Sequence, residues 1–367
     1  MIPVNEPLLN GNEKKYLNEC IDTGWISSEG PFVKKLEEQF AAKNNRAYSV
    51  AVCNGTAALE IAVEALGITK GDEVIMPAFT IISCASAIVK MGARPVLVDS
   101  DLQTWNMDVN QIEAKITPRT KAIMVVHIYG LPVDMGAVLD IAKKHNLKII
   151  EDAAEAHGQT YKGKACGSFG DISVFSFYPN KLITTGEGGM VLMNDTQLAE
   201  RCKSLRNLCF SAKRFVHEEL GWNMRMTNLQ AALGVAQLER WDEFIGIKKR
   251  MGKLYTSLLK DEKSISIPLE KTTYAENMYW VFGVVSENKD VTAEVLMKQL
   301  ADKQIGTRPF FYPMHMQPVF KKMNLFAGES YPNAEKMYKY GFYLPSGLAL
   351  TEAQIQEVAK TLKSVLN

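Results

Sequence analysis

Between residues 46 and 152, short apolar runs alternate with helical patterns at a near-constant interval, and that rhythm leaves few folds open. The runs that read as strands are AYSVAVC (47–53), DEVIMPA (72–78), RPVLVDSD (94–101), KAIMVVHIYG (121–130) and LKIIED (147–152). From 72 onward their starts lie 22, 27 and 26 residues apart. A parallel neighbour needs a crossover of about a dozen residues or more, usually a helix, so the interval is that of β-α units in a mostly parallel, buried sheet. Helical periodicity fills the gaps in GTAALEIAVEAL (55–66), IISCASAIVKMG (81–92), VNQIEAKI (109–116) and MGAVLDIAKKH (135–145).

After 152 the rhythm loosens. DISVFSFY (171–178) and GMVLMN (189–194) read as further strands, with helical patterns at 196–207 and from 227. The remainder mixes a strand (MYWVFGVV, 278–285) with helices at 292–303 and 351–366, the pattern of a smaller α+β domain. At roughly 150 residues per domain, 367 residues suit one large and one small domain. The boundary is expected inside the long helical stretch near 240–265, dividing 1–245, with the N-terminal segment, from 246–367.

Composition narrows the partners. Lys+Arg (42) nearly cancels Asp+Glu (41), so no broad cationic field recruits nucleic acid or an anionic membrane surface. No uncharged apolar run reaches the length of a membrane span, and the first residues lack the pattern of a secretory signal. Six cysteines without C-x-x-C spacing predict reduced thiols in a cytoplasmic protein. The five histidines form no metal-ligand spacing, and His217-Glu218 lacks the second histidine of a zinc-protease motif.

Ligands of open α/β sheets bind outside the carboxyl ends of the strands. At Asn54-Gly55-Thr56 a strand ends, Gly lets the chain turn, and a helix begins, a place suited to a phosphate. The same residues also suit an ordinary helix cap. Asp152 is a carboxylate at the end of an apolar strand, either a helix cap or a buried acid in need of a cation such as a protonated ring nitrogen. Lys181 follows it by 29 residues, delivered by SVFSFYPNK and followed by the Gly-rich TTGEGG. A solvated lysine there is unremarked; a desolvated one forms a Schiff base with a carbonyl. Ser176 on the same segment is a donor for a phosphate. Together, a phosphate cup, an acid for a ring nitrogen and a lysine for a carbonyl are the groups that hold pyridoxal phosphate.

The blocks NGTAAL, GDEVIMPAFT, EDAAEAHG, SFYPNKLITTGEGG, NMRMTNLQAALGVAQLE and TRPFFYPMH carry a wider likeness. Over nearly its whole length the chain resembles the DegT/DnrJ/EryC1/StrS sugar aminotransferases, of the type I (aspartate aminotransferase-like) α/β fold. The resemblance implies pyridoxal 5′-phosphate as cofactor, held covalently by Lys181, with Asp152 on the ring nitrogen and Gly55, Thr56 and Ser176 on the 5′-phosphate. It implies a homodimer in which Asn223 reaches the partner's phosphate, and places Glu155 near the cofactor. Relatives commonly carry an aromatic residue after Pro-x-x-Thr; PAFTIIS has Ile81 there, leaving the ring face to Ile81 or Phe79.

The resemblance further implies L-glutamate as amino donor and a nucleotide-linked keto sugar as acceptor. R-P-x-F-Y-P-x-H followed by a proline resembles the perosamine-forming branch, which takes a GDP-linked 4-keto-6-deoxy hexose. Arg308 is then expected on the diphosphate, Phe310, Phe311 and Tyr312 beside the base or sugar, and His315 on a sugar hydroxyl. Another nucleotide-linked keto sugar and a small keto phosphate are the alternatives. A sugar dehydratase of this fold has His where Lys181 stands, and a non-enzymatic regulator has no need of Lys181 and Asp152.

Overall fold

The computed structural model describes residues 1–213 and 215–366. Its larger sheet is built from β1 (Tyr48–Val52), β2 (Glu73–Pro77), β3 (Arg94–Val98), β4 (Thr120–Val126) and β5 (Lys148–Asp152). After a two-stranded ribbon, β6 (Thr160–Tyr161) and β7 (Lys164–Ala165), β8 (Ile172–Ser176) and β9 (Gly189–Met193) complete it. The strand order is β1-β9-β8-β5-β4-β2-β3. β3, β2, β4, β5 and β8 pair in parallel, whereas β9 runs antiparallel to both β8 and β1. Six strands therefore point one way, and their carboxyl ends share one edge. Every residue of β2 and β9 is buried, which is why these strands read as unbroken apolar runs instead of alternating ones.

Helices cover both faces: α1 (Glu13–Thr23), α2 (Pro31–Lys43), α3 (Gly55–Ala65), α4 (Ile82–Lys90), α5 (Met135–His145), α6 (Thr196–Arg206) and α7 (Asn228–Leu238). VNQIEAKI, expected as a helix, forms two single 3-10 turns, Val109–Gln111 and Glu113–Lys115. Pro118 follows so closely that Thr117 is pushed out of helical geometry, and Ile116 is already extended. β4 ends four residues earlier than expected, because Tyr129 adopts a left-handed conformation (φ 55°) in the turn after His127.

α8 (Trp241–Leu259) leads to a four-stranded antiparallel sheet. Its strands are β10 (Ile265–Ser266), β11 (Phe282–Ser286), β12 (Arg308–Pro309) and β13 (Gly341–Leu344), in the order β10-β11-β13-β12. α9 (Ala293–Asp302), α10 (Pro318–Lys322), α11 (Pro332–Tyr340) and α12 (Glu352–Leu366) accompany it. α8 passes residue 245 without a break. The first residues run along this smaller part and touch the larger one: Ile2 bridges Ile305, Ser346 donates its amide to Val4 O at 2.9 Å, and Asn5 Nδ2 donates to Pro179 O at 3.0 Å. An extended N-terminal strip satisfies main-chain groups that the small sheet's periphery leaves open.

Candidate active site

The loop between β8 and β9 is closed by its own main chain. Phe177 donates its amide to Gly188 O (2.9 Å) and accepts at its carbonyl from the Thr185 amide (3.0 Å) and the Thr184 hydroxyl (2.9 Å). α7 braces it from outside: Gln230 Nε2 donates to Glu187 O at 2.7 Å, and a Cβ on Gly234 would lie 2.8 Å from Thr185. Thus fixed, the loop delivers Lys181 into a cavity of about 870 Å³ at the carboxyl edge of the sheet. Its walls include Gly55 and Thr56 from the start of α3, Asp152 and Glu155 from the end of β5, and Ser176 from the end of β8. Asn223 and Arg308 border it as well.

At the mouth of α3, Asn54 accepts the Ala57 amide on its side chain (2.8 Å) and the Ala58 amide on its carbonyl (3.1 Å). The amides of Gly55 and Thr56 stand ahead of them, at the positive end of the helix dipole. The Thr56 hydroxyl sits 2.9 Å from that of Ser83, another cavity residue. A Cβ at Gly55 would lie 2.7 Å from the Ser176 Cβ, so only glycine lets the helix start approach β8 this closely.

Lys181 Nζ lies 3.7 Å from Glu155 Oε1 and 3.9 Å from the centre of the Trp280 ring. Burial lowers the lysine pKa, and the carboxylates of Glu155 and Asp152 oppose that fall. Burial also pushes the Glu155 carboxyl up to about 7, against the pull of Lys181 and of the Tyr129 amide, which donates to Oε2 at 2.9 Å. Asp152 is only 2 % exposed. It accepts from the Ala154 amide (3.0 Å) and the Cys84 thiol (3.3 Å), yet burial still raises its pKa. Buried, and raised in spite of these donors, this carboxylate is suited to a further cation on its cavity side.

Several expectations change. Tyr312 and His315 do not line the cavity. His315 Nε2 is engaged by Glu335 at 2.9 Å, and Tyr312 packs edge-on against Tyr338, because both follow the turn that leaves β12 toward α10 and α11. Of the aromatic run, Phe311 reaches the cavity, while Phe310 is buried against Trp105 and Tyr129. Phe79 is buried among Tyr129, Phe310 and Phe311, so it is Ile81, 43 % exposed, that faces the cavity. Asn223 borders the cavity of its own chain, held by its bridge to Asn207 at the end of α6. His127 is a structural group: Nδ1 accepts the Val133 amide and Nε2 meets Glu151 at 3.0 Å.

Trp280 and Tyr343, both on the cavity wall, escaped the reading of the sequence. MYWVFGVV reads as a strand throughout, whereas β11 begins at Phe282: Asn277 Oδ1 takes the Tyr279 amide, and Tyr279 has a positive φ of 56°. The polar Asn277 just ahead of the apolar run is the one local signal of that turn.

The donor set fits pyridoxal phosphate. A glycine-lined helix start suits its phosphate, a buried acid its ring nitrogen and a desolvated amine its carbonyl, and all three face one cavity. A model of the DegT/DnrJ/EryC1/StrS aminotransferase family matches residues 7–363. The chain is 44% identical over 362 residues to the GDP-perosamine synthase of Escherichia coli O157:H7, covering 98% of this chain and 97% of that one. It is also 44% identical over 368 residues to the GDP-perosamine synthase of Caulobacter vibrioides, covering 100% and 98%. A solved structure of Spr1654 from Streptococcus pneumoniae in its PLP form superposes with a TM-score of 0.93 at 26% identity, covering 100% of this chain and 98% of that one.

Proposed function

The chain belongs to the DegT/DnrJ/EryC1/StrS aminotransferase family, and from that premise we propose that it moves the amino group of L-glutamate to GDP-4-keto-6-deoxymannose, giving GDP-perosamine. Its cofactor is pyridoxal 5′-phosphate, which when bound supplies an electron sink and carries the amino group between the two substrates. The observation that carries the reading is the convergence of Lys181, Asp152 and the start of α3 on one cavity, with Arg308 at its open side.

Each residue has a distinct task. The amides of Gly55 and Thr56 and the hydroxyls of Thr56 and Ser176 hold the phosphate. Asp152, fixed by the Ala154 amide and the Cys84 thiol, keeps a negative charge against the ring nitrogen. The desolvated Lys181 amine takes the proton from the α-carbon of glutamate, a task that a lowered pKa suits near neutral pH. Glu155, 3.7 Å away, balances the ammonium that results. Arg308 is exposed on β12 at the rim, where its planar guanidinium matches a diphosphate by paired hydrogen bonds.

The test is a direct comparison of GDP-, UDP- and dTDP-linked 4-keto-6-deoxy sugars with L-glutamate as donor, the products read by mass spectrometry. The GDP sugar is expected to exceed the others in kcat/KM by about tenfold or more. Faster amination of a UDP or dTDP sugar refutes the nucleotide and leaves the aminotransferase standing.

The same reading extends to a homodimer in the cytoplasm. Between α6 and α7 the chain exposes Phe215 (73%) and Leu220 (91%) with Trp222 nearby, an apolar stretch suited to a second copy. All six cysteines are free, and no helix among the described residues is long and apolar enough to cross a membrane. Light scattering is expected to give a dimer that Leu220→Asp shifts toward monomer. A wild-type monomer, fully active when dilute, overturns the assembly.

A further inference from the structure

We propose that Trp280 is a positioning residue for Lys181, holding its amine from the side of the smaller sheet, and that Lys248 is the buttress that fixes Trp280. The inference rests on the aminotransferase reading and adds residues that neither motif nor composition assigns.

The Trp280 ring lies under the Lys181 Nζ, 3.9 Å from ring centre to nitrogen. Its Nε1–H donates to the carbonyl of Asn180, the residue before Lys181, at 2.7 Å. One side chain thus grips both the amine and the main chain that carries it. The ring is itself held, stacked on Tyr129 at 6.0 Å with 29° between planes. The Tyr129 amide in turn fixes Glu155, the carboxylate on Lys181, so indole and carboxylate are positioned through a common neighbour.

The main chain of Trp280 is anchored from below. Lys248, buried on α8, donates to Trp280 O at 2.8 Å and to Ser346 O. Both acceptors are main-chain carbonyls, one ahead of β11 and one beyond β13, so a single amine pins the two ends of the small sheet that face the cavity. Burial lowers the Lys248 pKa to about 7, and the neutral amine still has two N–H groups for its two carbonyls. The bracket therefore needs no counter-ion.

An aromatic face attracts a cation, most strongly where water is excluded. Nζ of Lys181 titrates between a cationic and a neutral form both as a free amine and when joined to the cofactor carbonyl. The titratable groups that face it are Asp152 at the end of β5, Glu155 beyond it, Cys84 on α4, His157, and Lys248 on α8. The carboxylates favour the cation, burial and Lys248 oppose it, and the indole face adds to the first side.

The test is the visible absorption of the cofactor-loaded protein, followed across pH in the absence of any sugar. It is independent of which nucleotide sugar is the substrate. Trp280→Leu, which lacks both the face and the N–H donor, is expected to lower the midpoint by about one pH unit. Trp280→Phe, which keeps a weaker face, is expected to lower it by roughly half as much; Lys248→Met removes an opposing charge together with the buttress, so it is read from kcat instead of the midpoint. Turnover with sugar is expected to fall in kcat while KM for the sugar stays within about twofold. A Trp280→Leu midpoint equal to or above that of the wild type overturns the proposal. So does a rise in the sugar KM at unchanged kcat, which would make Trp280 a substrate contact. Where Trp280→Leu does not fold, the same criteria are read from Trp280→Phe. Failure of the wild type to give a visible band defeats the aminotransferase reading itself.

Discussion

Lys181→Ala is expected to abolish turnover, by at least about 10⁴-fold, while leaving the fold intact. The loop that carries residue 181 is closed by main-chain and Thr184 hydrogen bonds, none of which uses the lysine side chain. What the side chain supplies is an amine that is 10 % exposed, poised between the Glu155 carboxylate and the Trp280 face, with a pKa that burial has lowered. Alanine provides neither a base for the α-proton nor a nitrogen for the cofactor carbonyl. Circular dichroism and the melting temperature should match or exceed those of the wild type, because a desolvated amine is a cost to folding. The visible band that depends on the lysine should vanish, leaving glutamate nothing to bleach. Turnover that persists in this variant, at more than about one part in 10³ of the wild type, would falsify the role given to Lys181.

The chemistry-bearing residues at strand ends were the legible part of the site. Asp152 closes an apolar run that only a buried sheet explains, Lys181 follows another by five residues, and a sheet with six strands in one direction brings such ends to one edge. Gly55 was legible for the same reason, since only Cys53 and Asn54 separate the end of β1 from the glycine that opens α3. The residues beyond β11 followed another logic. Tyr312 and His315 lie in a turn whose direction depends on how α10 and α11 pack against the small sheet, a long-range outcome with no local periodicity. Trp280 was hidden inside an apolar run, where an indole that lines a cavity and one that fills a core look alike. The N-terminal strip was equally silent: Ile2 finds Ile305 across 302 intervening positions of sequence, and nothing near either residue marks the other. Local alternation thus recovers the sheet and its edge, while the second wall of the cavity is set by tertiary packing.

Asp152→Asn is expected to lower turnover by about 10² to 10³-fold, and to do so for an electrostatic reason alone. The amide has nearly the shape of the carboxylate, and its oxygen still accepts the Ala154 amide, so orientation survives. The charge does not, and a neutral group no longer stabilises a protonated ring nitrogen. The same substitution should act on stability in the opposite sense. Burial raises the Asp152 pKa in the folded protein, so the native state binds the proton more readily than the unfolded chain. That contribution is fully present below the unfolded pKa and is lost as pH rises through the folded one. Above the folded pKa the cofactor-free wild type therefore bears the cost of a buried carboxylate, and Asp152→Asn should melt higher there. The gap should close as pH falls toward the ordinary carboxylate range. With cofactor bound the order should reverse, because the ring nitrogen supplies the cation that the carboxylate lacks, and the asparagine cannot use it. Melting curves of both proteins, with and without pyridoxal phosphate, at several values of pH decide the matter. A loaded Asp152→Asn enzyme within about tenfold of wild-type turnover would remove the carboxylate from the mechanism, and an unreversed order of melting would remove it from cofactor binding.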